Sequence, residues 1–587
     1  MQEVTRVLVA GGGPVGMLLA CELALQNVET VVIEELADIS EAPRAGTLHA
    51  RSVQSLLRRG FLRLPRAGRL DVEQRCGFHF GGLPILKLAT PTAEGPPILN
   101  QSQESLERIF EVRARRLGVD VRRGWRLVRV AQNDHRVEVE AVADGRSHTL
   151  ESDYLVGCDG ARSLVRAQAG ISTTTTEPTF SGLVGRVRLS KPLGAPDGWA
   201  QGPGGATLIN VNPHGPSRVL THDFSSPLPD RHQPVTLDEL RLTAARVIGR
   251  ELPMEEATYL ARFSDYSSLA DSYRSGRILL AGDAAHVHAP LGGQGLNTGI
   301  QDAFNLGWKL GLVTREDAPA ELLDTYGGER RPVAQRVIAN TRAQAGLMRP
   351  DPARAPLQAY VTRLFSLPEV NRATADEISG QGITCPSGTG AHPLTGTFLA
   401  NHTLDTGHGP SPVAELLDDA VPLLLSTTDS QHFPEHLLES WQGRLRFLRI
   451  SCQDPLDWNT VLCRPDGYIA WASEDALDPA ALREALITWL GPPGDHRQSL
   501  TGTRPPVRLR VPYELKPQRE PGRNEHSVDG LRPASSSRQE GTTDGYTGTT
   551  PQGSWFQHPG SGGALRRVHN GGPIWIPGLG VRTAAGA

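Results

Sequence analysis

Thr5-Arg-Val-Leu-Val-Ala-Gly-Gly-Gly-Pro-Val-Gly16 joins an apolar run to a glycine turn, and Glu29-Thr-Val-Val-Ile33 supplies a second β-branched run. Between them Val15, Leu18, Leu19, Glu22, Leu23 and Gln26 recur at helical spacing, with the apolar members on one face able to pack on a sheet. This is a βαβ unit. In Gly11-x-Gly13-x-x-Gly16, Gly11 permits the tight turn, Gly13 lets backbone N–H groups approach a diphosphate, and Gly16 lets helix and sheet pack closely. The helix N-terminus favours the negative charge. Glu34, ending the second strand, is spaced to accept the hydroxyls of an adenosine ribose, which disfavours a 2′-phosphate there. A turn of this kind without a ligand is the competing interpretation, and the flanking strands and the acid argue against it.

Outward from this unit, the 587 residues exceed one compact core and predict two to four domains. With 38% hydrophobic and 21% charged residues, the chain has the composition of a globular protein. It has no apolar run of the ~18 residues a membrane span needs and no signal-like N-terminus, so the expectation is a cytoplasmic protein with no membrane contact. The six cysteines, Cys21, Cys76, Cys158, Cys385, Cys452 and Cys463, form no CxxC pair and have no histidine at ligand spacing. Neither disulfides nor a metal centre is expected. A net charge of −4 gives no handle for nucleic acid. Small molecules are the expected partners.

Two further motifs follow apolar strands. Gly282-Asp-Ala-Ala-His286 comes after Arg277-Ile-Leu-Leu-Ala281 and runs on through Pro290-Leu-Gly-Gly-Gln-Gly-Leu-Asn-Thr298 into a long helix, about 296–313. An acid at a strand end can hold a polyol, and bare N–H groups at a helix N-terminus can hold an anion. Asp159-Gly-Ala-Arg-Ser163 follows the buried run Tyr154-Leu-Val-Gly157; alone it is an ordinary Asp-Gly turn. His286 and His288 follow a strand end, where histidines are more often structural than catalytic.

Together the three motifs resemble the class A flavoprotein monooxygenases, over roughly residues 4–345. Phe78-His-Phe-Gly-Gly-Leu-Pro84, Val156-Gly-Cys-Asp-Gly160, Gln301-Asp-Ala-Phe-Asn-Leu-Gly-Trp-Lys-Leu310 and Arg464-Pro-Asp-Gly-Tyr-Ile-Ala-Trp471 are similar to the aromatic polyketide hydroxylase branch. The last lies in a C-terminal thioredoxin-like domain that many other members lack. The resemblance implies an α/β protein: a Rossmann-like FAD-binding domain, an antiparallel-sheet substrate domain and the thioredoxin-like domain. It implies non-covalent FAD, NADPH or NADH as co-substrate, O2, and a polycyclic aromatic substrate hydroxylated through a flavin C4a-hydroperoxide. The thioredoxin-like domain, lacking CxxC, is left for structure or association, a homodimer included.

Residue by residue, the resemblance puts the ADP part on Gly11, Gly13, Pro14, Val15 and Gly16, with its ribose on Glu34. Arg44 and Ala45 come beside the flavin, Gln103 at the start of a Gln-x-x-Leu-Glu helix, and Leu127 at the cofactor. Gln101 is the rival of Gln103. The ribityl chain falls on Asp283, and Asp159 and Arg162 bridge the FAD and NAD(P)H regions. Pro290 and Gly293 border the flavin, and N–H groups around Gly295, Leu296 and Asn297 stabilise its anion. Arg44, Arg51 and Pro290 are the candidates for the reacting region; Arg51 is alternatively a surface helix residue. Glu35 departs from the family, which has a basic residue there. Pointing inward it would repel the diphosphate; in solvent the cost falls well under ~1 kcal/mol.

The expected division is 1–170 with 265–390 for the cofactor, 70–100 with 171–264 for the substrate sheet, 391–490 for the thioredoxin-like domain, and a disordered tail, 491–587. Twelve basic and seven acidic residues and a loss of periodicity mark that tail. Competing readings are Baeyer–Villiger oxygenation of a related polyketide, oxidative inactivation of an aromatic antibiotic, and an inert flavin-binding scaffold.

Overall fold

A computed structural model describes residues 3–63, 73–230, 233–428, 433–475 and 477–493; most of the expected tail lies outside them. The chain begins with β1 (Glu3–Ala10), α1 (Pro14–Leu25) and β2 (Thr30–Glu34), the predicted βαβ unit. Then come α2 (Ala50–Arg58), a hairpin of β3 (Glu73–Phe80) and β4 (Leu83–Pro91), α3 (Gln103–Arg116), β5 (Asp120–Arg123) and β6 (Arg146–Gly157). Next are β7 (Ser181–Leu189), β8 (Gly198–Gly202), β9 (Gly205–Asn210), β10 (Ser217–Asp223), α4 (Leu237–Ile248) and β11 (Met254–Ser264). The chain returns through β12 (Ile278–Leu280), α5 (Gln294–Thr314) and α6 (Asp324–Met348). It closes with β13 (Leu423–Ser426), β14 (Arg446–Arg449), β15 (Thr460–Cys463), β16 (Ile469–Ser473) and α7 (Pro479–Leu490).

The first sheet runs β12-β6-β1-β2-β5, with all these neighbours parallel. Val7, Leu8, Val9, Val32, Leu155, Val156 and Leu279 are fully buried, as strands covered on both faces should be. The expectation of a single apolar face on α1 is corrected. Pro14 and Gly16–Leu23 are all buried, because α1 is enclosed by the sheet, α3 and α5. A Cβ on Gly307 of α5 would come 2.4 Å from Cβ of Glu22, so this helix contact needs a residue without a side chain. Glu22 itself pairs with the buried Arg59 at 2.8 Å. That pairing is what allows a carboxylate at this depth.

The second sheet, β8-β9-β10-β7-β11, is antiparallel throughout. Side chains alternate across it. Leu183, Val187, Ile209 and Val219 pack on Leu240 and Ala244 of α4. Ala206, with Phe180 and the partly buried Trp199 and Phe263, packs instead on Ala289 and Leu291 of the loop before α5. The four C-terminal strands run β14-β13-β15-β16, β13 parallel to β14 and antiparallel to β15. This is a thioredoxin-like order. Arg58 and Arg59 of the first half donate to the carbonyls of Leu399, Leu417 and Pro465 in this C-terminal part. Among the described residues no helix is long and apolar enough to cross a membrane.

Candidate cofactor and substrate site

Strand register builds the site. Ala10 lies opposite both Gly157 and Ile33, and Gly157 lies opposite Leu280. The next residues along each strand, Gly11, Cys158, Glu34 and Ala281, therefore leave the sheet side by side at its carboxyl edge. In an open parallel sheet this edge is where ligands bind. Three motifs separated by well over a hundred residues become one cleft.

Gly11 has φ +108°, and a Cβ on it would lie 2.3 Å from the Cys158 carbonyl oxygen; no other residue fits. Gly13 caps α1 in an extended conformation, and a Cβ there would meet nothing within 4 Å. Its glycine therefore keeps open the space in front of the helix N-terminus, where the first-turn N–H groups lack intrahelical partners. Glu34 is fixed from behind: Gly12 N donates to Oε2 at 2.6 Å and Leu36 N to Oε1 at 2.9 Å. Glu35 is exposed. Its carboxylate therefore stands in solvent in the ligand-free chain, where screening limits repulsion of a diphosphate. Asp159 uses Oδ2 to accept from Leu164 and Val165 N at 2.7 and 3.1 Å, capping the short helix Leu164–Gln168. Its Oδ1 is buried with no partner among the described residues, which leaves it able to accept from a donor such as a hydroxyl. Arg162 is exposed and Leu127 half-buried.

Asp283 sits in a one-turn 3-10 segment directly after β12 and is open to the cleft. Desolvation by the surrounding protein raises its carboxyl above the ordinary range, opposed by His286 and Arg44. The turn is held by Asp302, whose Oδ2 accepts from Gly282 N at 3.1 Å and bonds His286 Nε2 at 2.7 Å. Oδ1 accepts from Arg330 Nε at 2.8 Å. Burial pushes the Asp302 carboxyl up, but His286 and Arg330 outweigh it and hold it below its usual value. His286 is therefore a structural histidine, as its position after a strand suggested.

The following loop reaches α5 through Gly292 and Gly293, both left-handed at φ +71° and +64°. The helix starts at Gln294, two residues before the expected Leu296, so Gly295, Leu296 and Asn297 fall in its first turn, Gly295 and Leu296 partly exposed there. Asn297 is a staple. Its Oδ1 accepts from His49 N at 2.8 Å while Nδ2 donates to Thr47 and Gly293 carbonyls at 3.0 and 2.8 Å. His49 Nε2 donates to the Gly292 carbonyl at 2.7 Å, and burial holds this imidazole down at about 4. The Arg44 loop is thereby fixed against the start of α5. Arg44 is exposed, Pro290 likewise, and Arg218 of β10 donates to the Arg44 carbonyl at 3.1 Å. Gln103 opens α3, its N–H on the Ala45 carbonyl at 3.0 Å; its rival Gln101 is buried and spends its amide on Ser105 Oγ at 2.5 Å.

Arg51 does not belong to the site. It is 5% exposed, and Nε, Nη1 and Nη2 are spent on the Gly380 carbonyl, Gln54 Oε1 and the Gln381 carbonyl. Its guanidinium lies 3.7 Å from the Phe398 ring centre. It is neither a flavin contact nor a surface residue, since it clasps the C-terminal part to α2. Asp302 has no role in the sequence reading; only the burial of α5 on nearly every face, its polar residues included, makes a partner for this carboxylate necessary.

The residues fit FAD: an open diphosphate cradle at Gly13, a ribose acid, an unpartnered acceptor at Asp159, and a polyol acid at Asp283. Residues 4–341 match the FAD binding domain family and residues 392–493 the aromatic-ring hydroxylase C-terminal family. The chain is 36% identical to 12-dehydrotetracycline 5-monooxygenase/anhydrotetracycline 6-monooxygenase of Streptomyces rimosus, over 83% of this chain and 99% of that protein. It is 38% identical to dialkyldecalin synthase of Streptomyces rugosporus, again over 83% and 99%. The solved structure of the OxyS anhydrotetracycline hydroxylase from Streptomyces rimosus superposes with a TM-score of 0.76 at 34% identity, covering 84% of this chain and all of that one. With both of its family models matched and such relatives along most of its length, the chain belongs to the FAD-dependent aromatic-ring hydroxylases.

Proposed function

We propose that the protein is an NAD(P)H- and O2-dependent monooxygenase that hydroxylates a polycyclic aromatic polyketide. The observation that carries this reading is the register of β1, β6 and β12, which puts Gly11, Asp159 and Asp283 on one sheet edge, together with relatives that act on anhydrotetracycline. Bound FAD, reduced by NADH or NADPH, supplies the activation of O2 needed to insert one oxygen atom into an electron-rich ring.

The chain's own residues bind, orient and exclude water. The Gly11–Gly16 turn, with Pro14 and Val15 opening α1, takes the diphosphate, Glu34 the adenosine ribose and Asp283 the ribityl hydroxyls. Ala45, Gln103 and Leu127 border the dinucleotide, and Asp159 supplies its free oxygen to it, with Arg162 toward NAD(P)H. First-turn N–H groups of Gly295, Leu296 and Asn297 would hold negative charge on the bound flavin. Arg44 and Pro290 flank the reacting ring, and Gly293 lets the chain turn beside it. The aromatic face of the second sheet holds the substrate in line and keeps water from the reaction. This reading takes a cytoplasmic homodimer, and domains at 1–170 with 265–390, 70–100 with 171–264, and 391–490.

The test is mass spectrometry of products formed from NADPH, O2 and a panel of fused-ring aromatic polyketides that includes anhydrotetracycline. A gain of one oxygen on an intact ring system supports hydroxylation. Lactone formation replaces it with Baeyer–Villiger chemistry, and no product from any member contradicts the substrate class. The 38% identity to a dialkyldecalin synthase favours one second reading, a ring-forming reaction; a product of unchanged mass with no NADPH consumed would identify it.

A further inference from the structure

Arg464-Pro-Asp-Gly-Tyr468, the turn between β15 and β16, has no part in the site described above. Gly467 takes φ +90°, and the Arg464 N–H closes the turn on the Tyr468 carbonyl at 2.8 Å. Its two charged side chains do not face solvent. They enter the seam between α5 and α6, where Arg464, Asp466, Lys309 and Glu329 are all buried. Arg464 donates Nη1 and Nη2 to the two carboxylate oxygens of Glu329 at 2.9 and 2.8 Å, and Nε to Asp466 at 3.0 Å. Lys309 Nζ lies 3.1 Å from Glu329, and Asn305 donates to Glu329 and Asp466 at 2.6 and 3.2 Å. Two cations thus balance two carboxylates.

The next residue of α6, Arg330, belongs to the flavin side. It holds Asp302 through Nε and the Thr298 carbonyl through Nη2, and Asp302 in turn holds the Gly282 N–H beside Asp283. Successive helix residues project about 100° apart, so Glu329 and Arg330 pin α6 in rotation from two directions. On α5, Thr298, Asp302, Asn305 and Lys309 recur at helical spacing and meet both. A gap of about 10 Å³ is lined by Glu329, Arg330, Asp466 and Tyr468, among others. A buried carboxylate stripped of its cation is costly. With Arg464 gone, Lys309 alone faces two carboxylates, and Arg330, which shares the lining of the gap, is the cation that can answer them at the expense of Asp302.

Resting on the FAD site above, we infer that Arg464 is a positioning residue for the flavin: the β15–β16 turn of the thioredoxin-like domain, through Glu329 and Arg330, fixes Asp302 and so the turn that presents Asp283. In this role a domain without CxxC serves the cofactor site at second hand. If Arg464 merely joined two domains, its loss would lower stability and leave flavin affinity where it was, or act independently of Asp302. Energetic coupling between Arg464 and Asp302 separates the two cases.

The test titrates FAD into flavin-stripped full-length protein by flavin fluorescence, with melting curves alongside. Arg464→Met is expected to weaken FAD about tenfold in the wild-type background and less than about twofold when Asp302→Asn is already present, because the link is then already cut. If Arg464→Met fails to fold, Glu329→Gln, which keeps the side-chain shape, carries the same comparison with an expected loss of about threefold. Unchanged affinity at lowered stability, or equal losses in both backgrounds, overturns the inference. Wild-type protein that takes up no flavin overturns the FAD site itself.

Discussion

Nε2 of His286 lies 2.7 Å from Oδ2 of Asp302, and both side chains are at most 1% exposed. Through this pair a helix residue sets the shape of a strand-end turn twenty residues earlier, because the same Asp302 oxygen also accepts the Gly282 N–H. Asp302→Asn keeps the shape but cannot accept from Gly282, His286 and Arg330 together, and it leaves a buried guanidinium unpaired. A loss of about 3 kcal/mol is expected, with FAD affinity falling at least about tenfold. Thermal unfolding and flavin fluorescence titration check it; unchanged affinity would show that the turn holds without Asp302.

The two glycines of the first turn should fail differently. Gly11→Ala forces a Cβ against the Cys158 carbonyl at a positive φ, so the apoprotein itself loses stability, by several kcal/mol at order of magnitude. Gly13→Ala meets no protein atom and leaves apoprotein stability within about 0.5 kcal/mol, while its methyl occupies the diphosphate space. Paired melting curves with and without FAD separate the two outcomes.

Acid sensitivity follows from the buried histidines. His49 and His222 are held at about 4 by burial, against about 6.5 in the unfolded chain. Between those values the unfolded state binds more protons, so stability is whole above pH 6.5 and is lost as pH falls toward 4. Each contributes about 3 kcal/mol at order of magnitude. Melting temperature should be flat from pH 7 to 8 on their account and fall steadily below pH 6; His222→Phe should flatten part of that fall.

Arg51→Ala tests a structural assignment. Removing the guanidinium strips donors from the Gly380 and Gln381 carbonyls and the stack on Phe398, for roughly 2–4 kcal/mol of stability. Turnover per bound FAD should stay within about twofold. A large loss of turnover at unchanged stability would return Arg51 to the reaction.

Most of the cofactor half was legible because its signals are local. A strand, Gly11-x-Gly13-x-x-Gly16 and a helix lie within one stretch, and Asp283 directly follows an apolar strand. α7 is local too: Asp478 caps it, and Leu482, Leu486 and Leu490 recur at helical spacing on its buried face. What escaped depends on distant contacts. Arg51 reads as surface or site because its partners at 380, 381 and 398 lie more than three hundred residues away. All-round burial of α1 comes from α5, whose Gly307 makes the approach possible. The rings of His79, Trp199 and His222 meet from three separate strands, and no spacing along the chain could announce it.

The most direct test of the central claim, that the Gly11 and Asp283 loops close on one FAD, is the flavin content of purified wild-type protein and of Asp283→Ala. The wild-type protein should absorb near ~450 nm at about one FAD per chain, and the variant should purify colourless with little change in apoprotein melting. A wild-type chain that stays colourless with excess FAD, or a variant that keeps its full flavin, would contradict it.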